Sequence, residues 1–139
     1  MSVQASASSA RPSAIRWVRV LLAGFLAEVA LILVAVPLYF MPNPQTTLNL
    51  AIPPASFLAF IAFGYWAARG ARKAWVLNGF LAGLAAVLLY IGLAVGATAA
   101  THRDLWASFT PAYLLAHALK MAGGALGGLL AARRRAAAA

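Results

Sequence analysis

The chain has 139 residues, of which 64% are hydrophobic and only 9% are charged. Soluble domains carry roughly 25% charged residues, so this composition is typical of a membrane protein. The sequence has no cysteine, which excludes disulfides, iron–sulfur clusters and thiolate zinc sites. The net charge of +9 suggests nucleic acid or an anionic surface as a partner, and the placement of the charges has to decide between them.

Four apolar stretches follow one another, and each approaches or exceeds the roughly 20 residues that a transmembrane helix needs. They cover residues 18–40, 50–68, 76–100 and 111–132. The first stretch is longer than the apolar core of a signal peptide, so we expect no cleavage. The sequence therefore predicts an all-α membrane protein in the form of a four-transmembrane-helix bundle.

The remaining residues divide the chain into two hairpins and two tails. Residues 1–15 are rich in Ser and Ala and lack hydrophobic periodicity, which predicts a disordered cytoplasmic tail. We expect one hairpin over residues 16–69 and a second over residues 70–132. Residues 133–139 are predicted to form a basic cytoplasmic tail.

Nine of the eleven basic residues flank the predicted helices on one side. They are Arg11, Arg16, Arg19, Arg69, Arg72, Lys73, Arg133, Arg134 and Arg135. The loops of the other side contain only Arg103, next to Asp104. The positive-inside rule then predicts a multi-pass protein of a bacterial-type cell membrane with both termini in the cytoplasm. Short basic clusters beside apolar helices are typical topology signals, so we expect the lipid bilayer, and no nucleic acid, as the partner.

Aromatic residues and prolines fall near the predicted helix ends. Trp and Tyr favour the headgroup level of a membrane, which places Trp17, Trp66 and Trp75 at the cytoplasmic boundary and Tyr113 in the outer belt. A helix start tolerates proline, because the missing N–H costs nothing there. The pair Pro53-Pro54 and the step Thr110-Pro111 therefore indicate the starts of helices 2 and 4.

Similar segments recur in the two hairpins. GFLAE begins at Gly24 and GFLAG at Gly79, whereas PASFLA begins at Pro54 and PAYLLA at Pro111. We interpret the chain as two duplicated hairpins in parallel topology, related by an axis along the membrane normal. The alternative is chance similarity between membrane helices that are rich in Ala, Leu and Gly.

Small residues recur every fourth position on several helices, a spacing that lets two helix backbones approach closely. The helix-packing candidates are Gly24, Gly79, Gly83, Gly123, Gly124, Gly127 and Gly128. Helix 3 has the same spacing again at Gly92 and Gly96. Helix 4 has two such faces, so it either packs between two helices or offers one face to another copy or a membrane protein partner.

Three ionisable residues lie within the predicted spans: Glu28, His117 and Lys120. A charge at a helix centre costs about 2.5–3.5 kcal/mol on insertion scales, so each needs a partner. Glu28 and Lys120 lie on glycine-bearing faces, and His117 lies on the same face as Lys120. Residue counting places Lys120 about 6 Å further from the basic side than Glu28. We therefore expect the two to form a pair only if a water molecule bridges them, a helix is tilted or a helix boundary is shifted.

These residues leave three hypotheses open. A structural Glu28–Lys120 pair or network would lock helix 1 to helix 4. A proton- or ion-handling site would use Glu28 as a carrier, and His117, which titrates nearest neutral pH, could extend a relay. The third hypothesis is a site for a lipid or ligand headgroup.

The segment LAEV at Leu26–Val29 resembles the first helix of the small multidrug resistance transporters. Those are also four-helix proteins with a membrane-embedded glutamate on helix 1, so the resemblance implies that Glu28 is a shared proton and cation site. It covers four residues and the helix count. The chain departs from the family in Lys120, which would compete with a cationic substrate, in its strong charge bias and in its later helices. We do not assign it to that family.

The sequence has no metal-ligand cluster, no phosphate loop and no G-x-S-x-G elbow, so we expect no enzymatic activity and no cofactor. A loop salt bridge is the simplest explanation for the short segment from His102 to Asp104. We predict a non-enzymatic helix-packing or accessory subunit that acts in the membrane plane. The alternative is a proton-coupled small transporter or ion pathway that uses Glu28 with His117 and Lys120.

Overall fold

The computed structural model describes residues 14–101, 106 and 109–138, in which the chain forms four α-helices. They are α1 (Trp17–Leu38), α2 (Pro44–Ala68), α3 (Trp75–Thr101) and α4 (Pro111–Ala136). All four are long and apolar enough to cross a membrane, which confirms the predicted all-helical architecture. At 1.5 Å per residue their lengths are about 33–40 Å, against a hydrocarbon core of about 30 Å.

The start of α2 differs from the prediction. The helix begins at Pro44, and Pro53 and Pro54 lie inside it, so the prediction that this pair starts helix 2 is wrong. The residue before the helix, Asn43, has a left-handed backbone conformation and accepts the backbone N–H of Thr47 at 3.1 Å. A proline at the first position tolerates the lost N–H, so the polar residues after Pro44 can form the first turns.

The end of α4 also lies beyond its predicted position. The helix continues through Arg133, Arg134 and Arg135 to Ala136, so most of the predicted tail of residues 133–139 is helical. Arginine is a good helix former, and cations are favoured at a helix C-terminus by the helix dipole. The predicted disordered tail up to residue 13 and the His102–Asp104 loop lie outside the described residues.

The four helices form a rhombic bundle. α1 packs against α2 and α3, and α4 packs more extensively against the same two helices. α1 and α4 therefore lie at the two ends of the long diagonal. Fully buried Phe60 of α2 packs with Ala27 and Leu31 of α1 and Ala86 of α3. Large apolar side chains such as Leu33 and Leu58 are exposed on the outside, as expected for a surface that faces lipid.

The glycines of α4 bring it into backbone contact with two helices at once. A Cβ on Gly123 would lie 2.5 Å from the carbonyl oxygen of Phe57 on α2, and one on Gly128 would lie 2.8 Å from the Cα of Val76 on α3. Both glycine faces of α4 are thus filled within the chain. Gly92 and Gly96 have no atom within 4 Å of such a Cβ, so the prediction that they repeat this packing is wrong.

Asn78 joins the start of α1 to the start of α3. Its side-chain oxygen accepts the backbone N–H of Arg16 at 2.8 Å, and its amide donates to the carbonyl oxygens of Ala14 at 3.1 Å and Ala74 at 2.9 Å. The Arg16 guanidinium donates to the carbonyl oxygen of Gly70 at 2.7 Å. Side-chain hydrogen bonds therefore connect the start of α1 to α3 and to the segment between α2 and α3 at the basic end.

Candidate functional site

Glu28 on α1 and Lys120 on α4 form an ion pair in the interior of the bundle, in which the Lys120 Nζ donates to Oε1 of Glu28. The side chain of Lys120 is 5% exposed and that of Glu28 is 13% exposed. Lysine is long enough to cross the depth difference that residue counting gave, so the contact is direct. The opposite charges meet where an unpaired charge would be costly.

Glycine contacts fix the backbone beside both charged residues. Gly24, one turn before Glu28, lies so close to α3 that a Cβ there would be 2.7 Å from the carbonyl oxygen of Ala82. A Cβ on Gly83 of α3 would be 2.6 Å from the carbonyl oxygen of Lys120. Any larger residue at either position would push α3 away from α1 or α4, so these glycines set the distance across which the pair forms.

Aromatic rings surround the ammonium group of Lys120. Its Nζ lies 5.7 Å from the centroid of the Tyr90 ring and 6.0 Å from that of Phe60. Cations are attracted to ring faces at this distance, and more strongly where water is excluded. Tyr90 on α3 was not among the candidates, although a tyrosine in the middle of an apolar helix is a signal that could have identified it.

A cavity of about 900 Å³ opens between the four helices, in the half of the bundle away from the arginines. Its lining residues nearest the basic end include Glu28 and Lys120, so the ion pair forms its floor. The walls are mostly apolar and come from all four helices. Polar residues toward the mouth include Tyr39, Gln45 and Thr101.

His117 lies in the cavity wall one turn from Lys120, without joining the ion pair. The residue is 7% exposed, and neither ring nitrogen has a hydrogen-bond partner among the described residues. Its ring lies 4.6 Å from that of Tyr90 and 6.4 Å from that of Tyr113, measured between centroids, and the two tyrosines stack at 5.4 Å. Tyr113, expected in an interfacial belt, is thus part of the cavity wall.

The half of the bundle between the ion pair and the basic end is closely packed. A Cβ on Gly64 of α2 would lie 2.6 Å from the carbonyl oxygen of Gly124 on α4, and a Cβ on Gly79 of α3 would meet the same oxygen. Three helices thus meet at Gly124, one turn from Lys120 toward the basic end. The bundle is closed toward its basic end and open toward the other, with the ion pair at the transition.

Comparisons with protein families, with characterised proteins and with solved structures find no match to this chain. The architecture defines a class, a protein of four membrane-length helices.

Proposed function

We propose that the protein binds a small amphipathic molecule in the cavity between its four helices. The observation that carries this proposal is a cavity of about 900 Å³ that ends on a buried ion pair. Ligand pockets in proteins have volumes of roughly 300–1,000 Å³, with mostly apolar walls and a few polar groups that fix orientation.

The chemistry of the floor selects the kind of headgroup. Glu28 and Lys120 neutralise each other, so the floor attracts neither cations nor anions strongly as it stands. His117 offers a ring nitrogen without a partner in the described residues, and a buried polar group of that kind is stabilised by any ligand that bonds to it. The best occupant has an apolar body and an uncharged or zwitterionic hydrogen-bonding head.

The orientation of the cavity follows from the charges. We propose that both termini are cytoplasmic, because eight described basic residues lie at one end of the bundle, namely Arg16, Arg19, Arg69, Arg72, Lys73, Arg133, Arg134 and Arg135. The cavity then opens toward the outer side of a cell membrane. The ligand would enter from the outer leaflet or from the solution above it.

The proposed duplication of the hairpins receives support from two equivalent glycines. Gly24 of GFLAE and Gly79 of GFLAG both lie at close helix contacts. The position of Glu28 corresponds to Gly83, which contacts the backbone of Lys120. In this interpretation the second copy lost or never had the carboxylate, and the binding site is asymmetric.

A proton-coupled transporter is the second candidate, favoured by the placement of Glu28 at the boundary between the open and closed halves. Protonation of Glu28 would release Lys120, and transport would further require α4 to separate from α2 and α3 at the glycine contacts. A cationic substrate, which the resemblance to small multidrug resistance transporters implies, would first have to displace Lys120 from Glu28.

The binding proposal is tested by filling the cavity. Ala94 lines it and is half-buried, whereas Ala99, on the same helix, is exposed and outside the lining. Ala94→Phe should abolish saturable binding of radiolabelled 1-decanol to the protein in lipid nanodiscs, whereas Ala99→Phe should leave it unchanged. Decanoate and decylammonium test the headgroup, and empty nanodiscs correct for partitioning into lipid.

Two results decide the matter. Extraction and mass spectrometry of the purified protein should find a small molecule retained by the wild type and by Ala99→Phe but not by Ala94→Phe. If no probe binds saturably and no molecule is retained in this pattern, the cavity is not a binding site. Proton-driven uptake of such a molecule into liposomes, lost in Glu28→Gln while the unfolding free energy of that variant is unchanged, would instead establish the transporter.

A further inference from the structure

A second, smaller groove of about 320 Å³ lies between the ends of α2 and α4, at the basic end of the bundle. Its lining consists of Tyr65, Arg69, Ala131, Arg134, Arg135 and Ala138. Three arginines thus face one concave surface, together with a tyrosine hydroxyl and small side chains that leave room between them.

Among the residues that the structure describes, no acidic side chain lines this groove. The chain contains two acidic residues, Glu28 and Asp104. Glu28 is paired with Lys120 in the interior, and Asp104 belongs to the connection between α3 and α4, outside the described residues. The helix dipoles of α2 and α4 favour arginines at their C-termini but supply only partial charges. The arginines of the groove are therefore available to an anionic ligand.

Hydrogen bonds already hold two of the arginines in place. Arg134 Nη1 donates to the hydroxyl of Tyr65 at 3.0 Å, and Arg135 Nη1 donates to the carbonyl oxygen of Ala71 at 3.0 Å. A guanidinium has five N–H donors in a planar fork, so most donors are left over after these bonds. A fork fixed in this way suits the bidentate geometry of Arg–phosphate contacts.

The level of the groove points to a lipid as the source of the phosphate. Tyr65 and Trp66 end the apolar part of α2, and Trp75 begins α3, so these aromatic side chains mark the headgroup level. Basic pockets between membrane helices at this level suit the headgroups of anionic lipids. We propose that the groove binds the phosphate of an anionic phospholipid, whose chains lie along the apolar outer faces of α2 and α4. The proposal is independent of what the cavity binds.

Native mass spectrometry of the detergent-purified full chain tests the proposal. Phosphatidylglycerol and phosphatidylcholine are added in equal amounts, and the ratio of the two bound lipids is measured. The wild type should retain phosphatidylglycerol preferentially. Arg134→Gln should lower that preference roughly tenfold, as expected for the loss of one charged hydrogen-bonding partner. Arg134→Lys should fall in between, because lysine keeps the charge and loses the fork.

Matched controls separate the groove from general surface charge. Arg72→Gln and Arg133→Gln remove the same charge from exposed positions outside the groove lining, so they should retain the wild-type ratio within about twofold. Arg69→Gln is the second groove variant and should behave like Arg134→Gln. An equal loss in the controls, or no preference in the wild type, would overturn the proposal. Displacement of the lipid by glycerol phosphate at the same concentration would show a site for free phosphate instead.

Discussion

Lys120 of α4 reaches along the long diagonal of the bundle to Glu28 of α1, although the two helices themselves barely touch. The ion pair is therefore a direct connection between helices that α2 and α3 otherwise hold apart. It also closes the floor of the cavity. The same contact thus contributes to the stability of the fold and to the chemistry of the site.

Removing one partner of this pair should destabilise the bundle more than removing both. Glu28→Gln leaves the Lys120 ammonium buried without a counter-charge, and Lys120→Met leaves the Glu28 carboxylate in the same condition. Each single change should cost roughly 2.5–3.5 kcal/mol, the insertion cost of one central charge. The double variant should recover much of that loss, because two neutral side chains remain.

The measurement is a double-mutant cycle on the free energy of unfolding in bicelles. A coupling energy near zero, with the two single losses adding up in the double variant, would show that the pair does not act as a unit. Wild-type protein and all three variants need the same lipid composition, since membrane thickness also affects stability.

Leucine at Gly124 should disrupt the closed half of the bundle. The position lies against the backbone of Gly79, where even a Cβ would collide with the neighbouring carbonyl group. Gly92→Leu is the matched control, because its side chain would point into open space. We expect Gly124→Leu to lower the thermal unfolding midpoint strongly and Gly92→Leu to leave it nearly unchanged. Equal midpoints for both variants would show that α4 and α3 are not in close contact at Gly124.

Phenylalanine at His117 should not weaken the apo protein. The ring nitrogens of His117 have no hydrogen-bond partner among the described residues. Replacing the ring with that of phenylalanine therefore removes buried polar atoms and leaves no donor or acceptor unpaired. We expect the unfolding free energy to stay the same or rise, by up to roughly 1–3 kcal/mol. Asn78→Leu is the contrasting control, because it removes three hydrogen bonds and should destabilise.

Binding distinguishes the role of His117 further. If the ring bonds to the ligand headgroup, His117→Phe should lose the saturable decanol binding while its stability is maintained. Retained binding in that variant would show that His117 forms part of the cavity wall but does not bond to the ligand.

Cysteine labelling tests the proposed orientation. Lys73 and Ala137 are exposed at the basic end, whereas Met41 is exposed between α1 and α2. Single cysteines at the first two positions should resist a membrane-impermeant maleimide applied to intact cells, and one at Met41 should react. Lysed cells provide the control that each position is reactive. Labelling of Lys73→Cys from outside would show that the basic end faces outward and that the proposed orientation is wrong.

The sequence was sufficient for the helices because membrane-length apolar runs are a strong signal. The sequence predicted the ends of these helices less accurately. The proline pair at Pro53 and Pro54 suggested a helix start, but the polar turns after Pro44 also belong to the helix. Glu28 and Lys120 could be paired from their rarity and helical phase. Their direct contact depends on side-chain reach, which residue counting does not include.

The cavity could not be predicted from local patterns. The glycines of α4 bring three helices together on the basic side of Lys120, whereas the cavity opens on its other side. Gly92 and Gly96 have the same spacing as the packed glycines but contact nothing, so spacing alone does not distinguish the two halves. The role of Asn78 became visible only through the neighbours that the fold gives it.

The proline pair in α2 has a consequence for the exchange of a bound molecule. Proline has no N–H, so the carbonyl groups of Asn49 and Leu50, four residues earlier, lack their usual helical donors. Asn49 and Pro53 both line the cavity. The first turns of α2 are therefore joined to the rest of the helix by fewer hydrogen bonds, and they can tilt without separating the glycine contacts. We expect the residence time of a ligand to be set by this hinge.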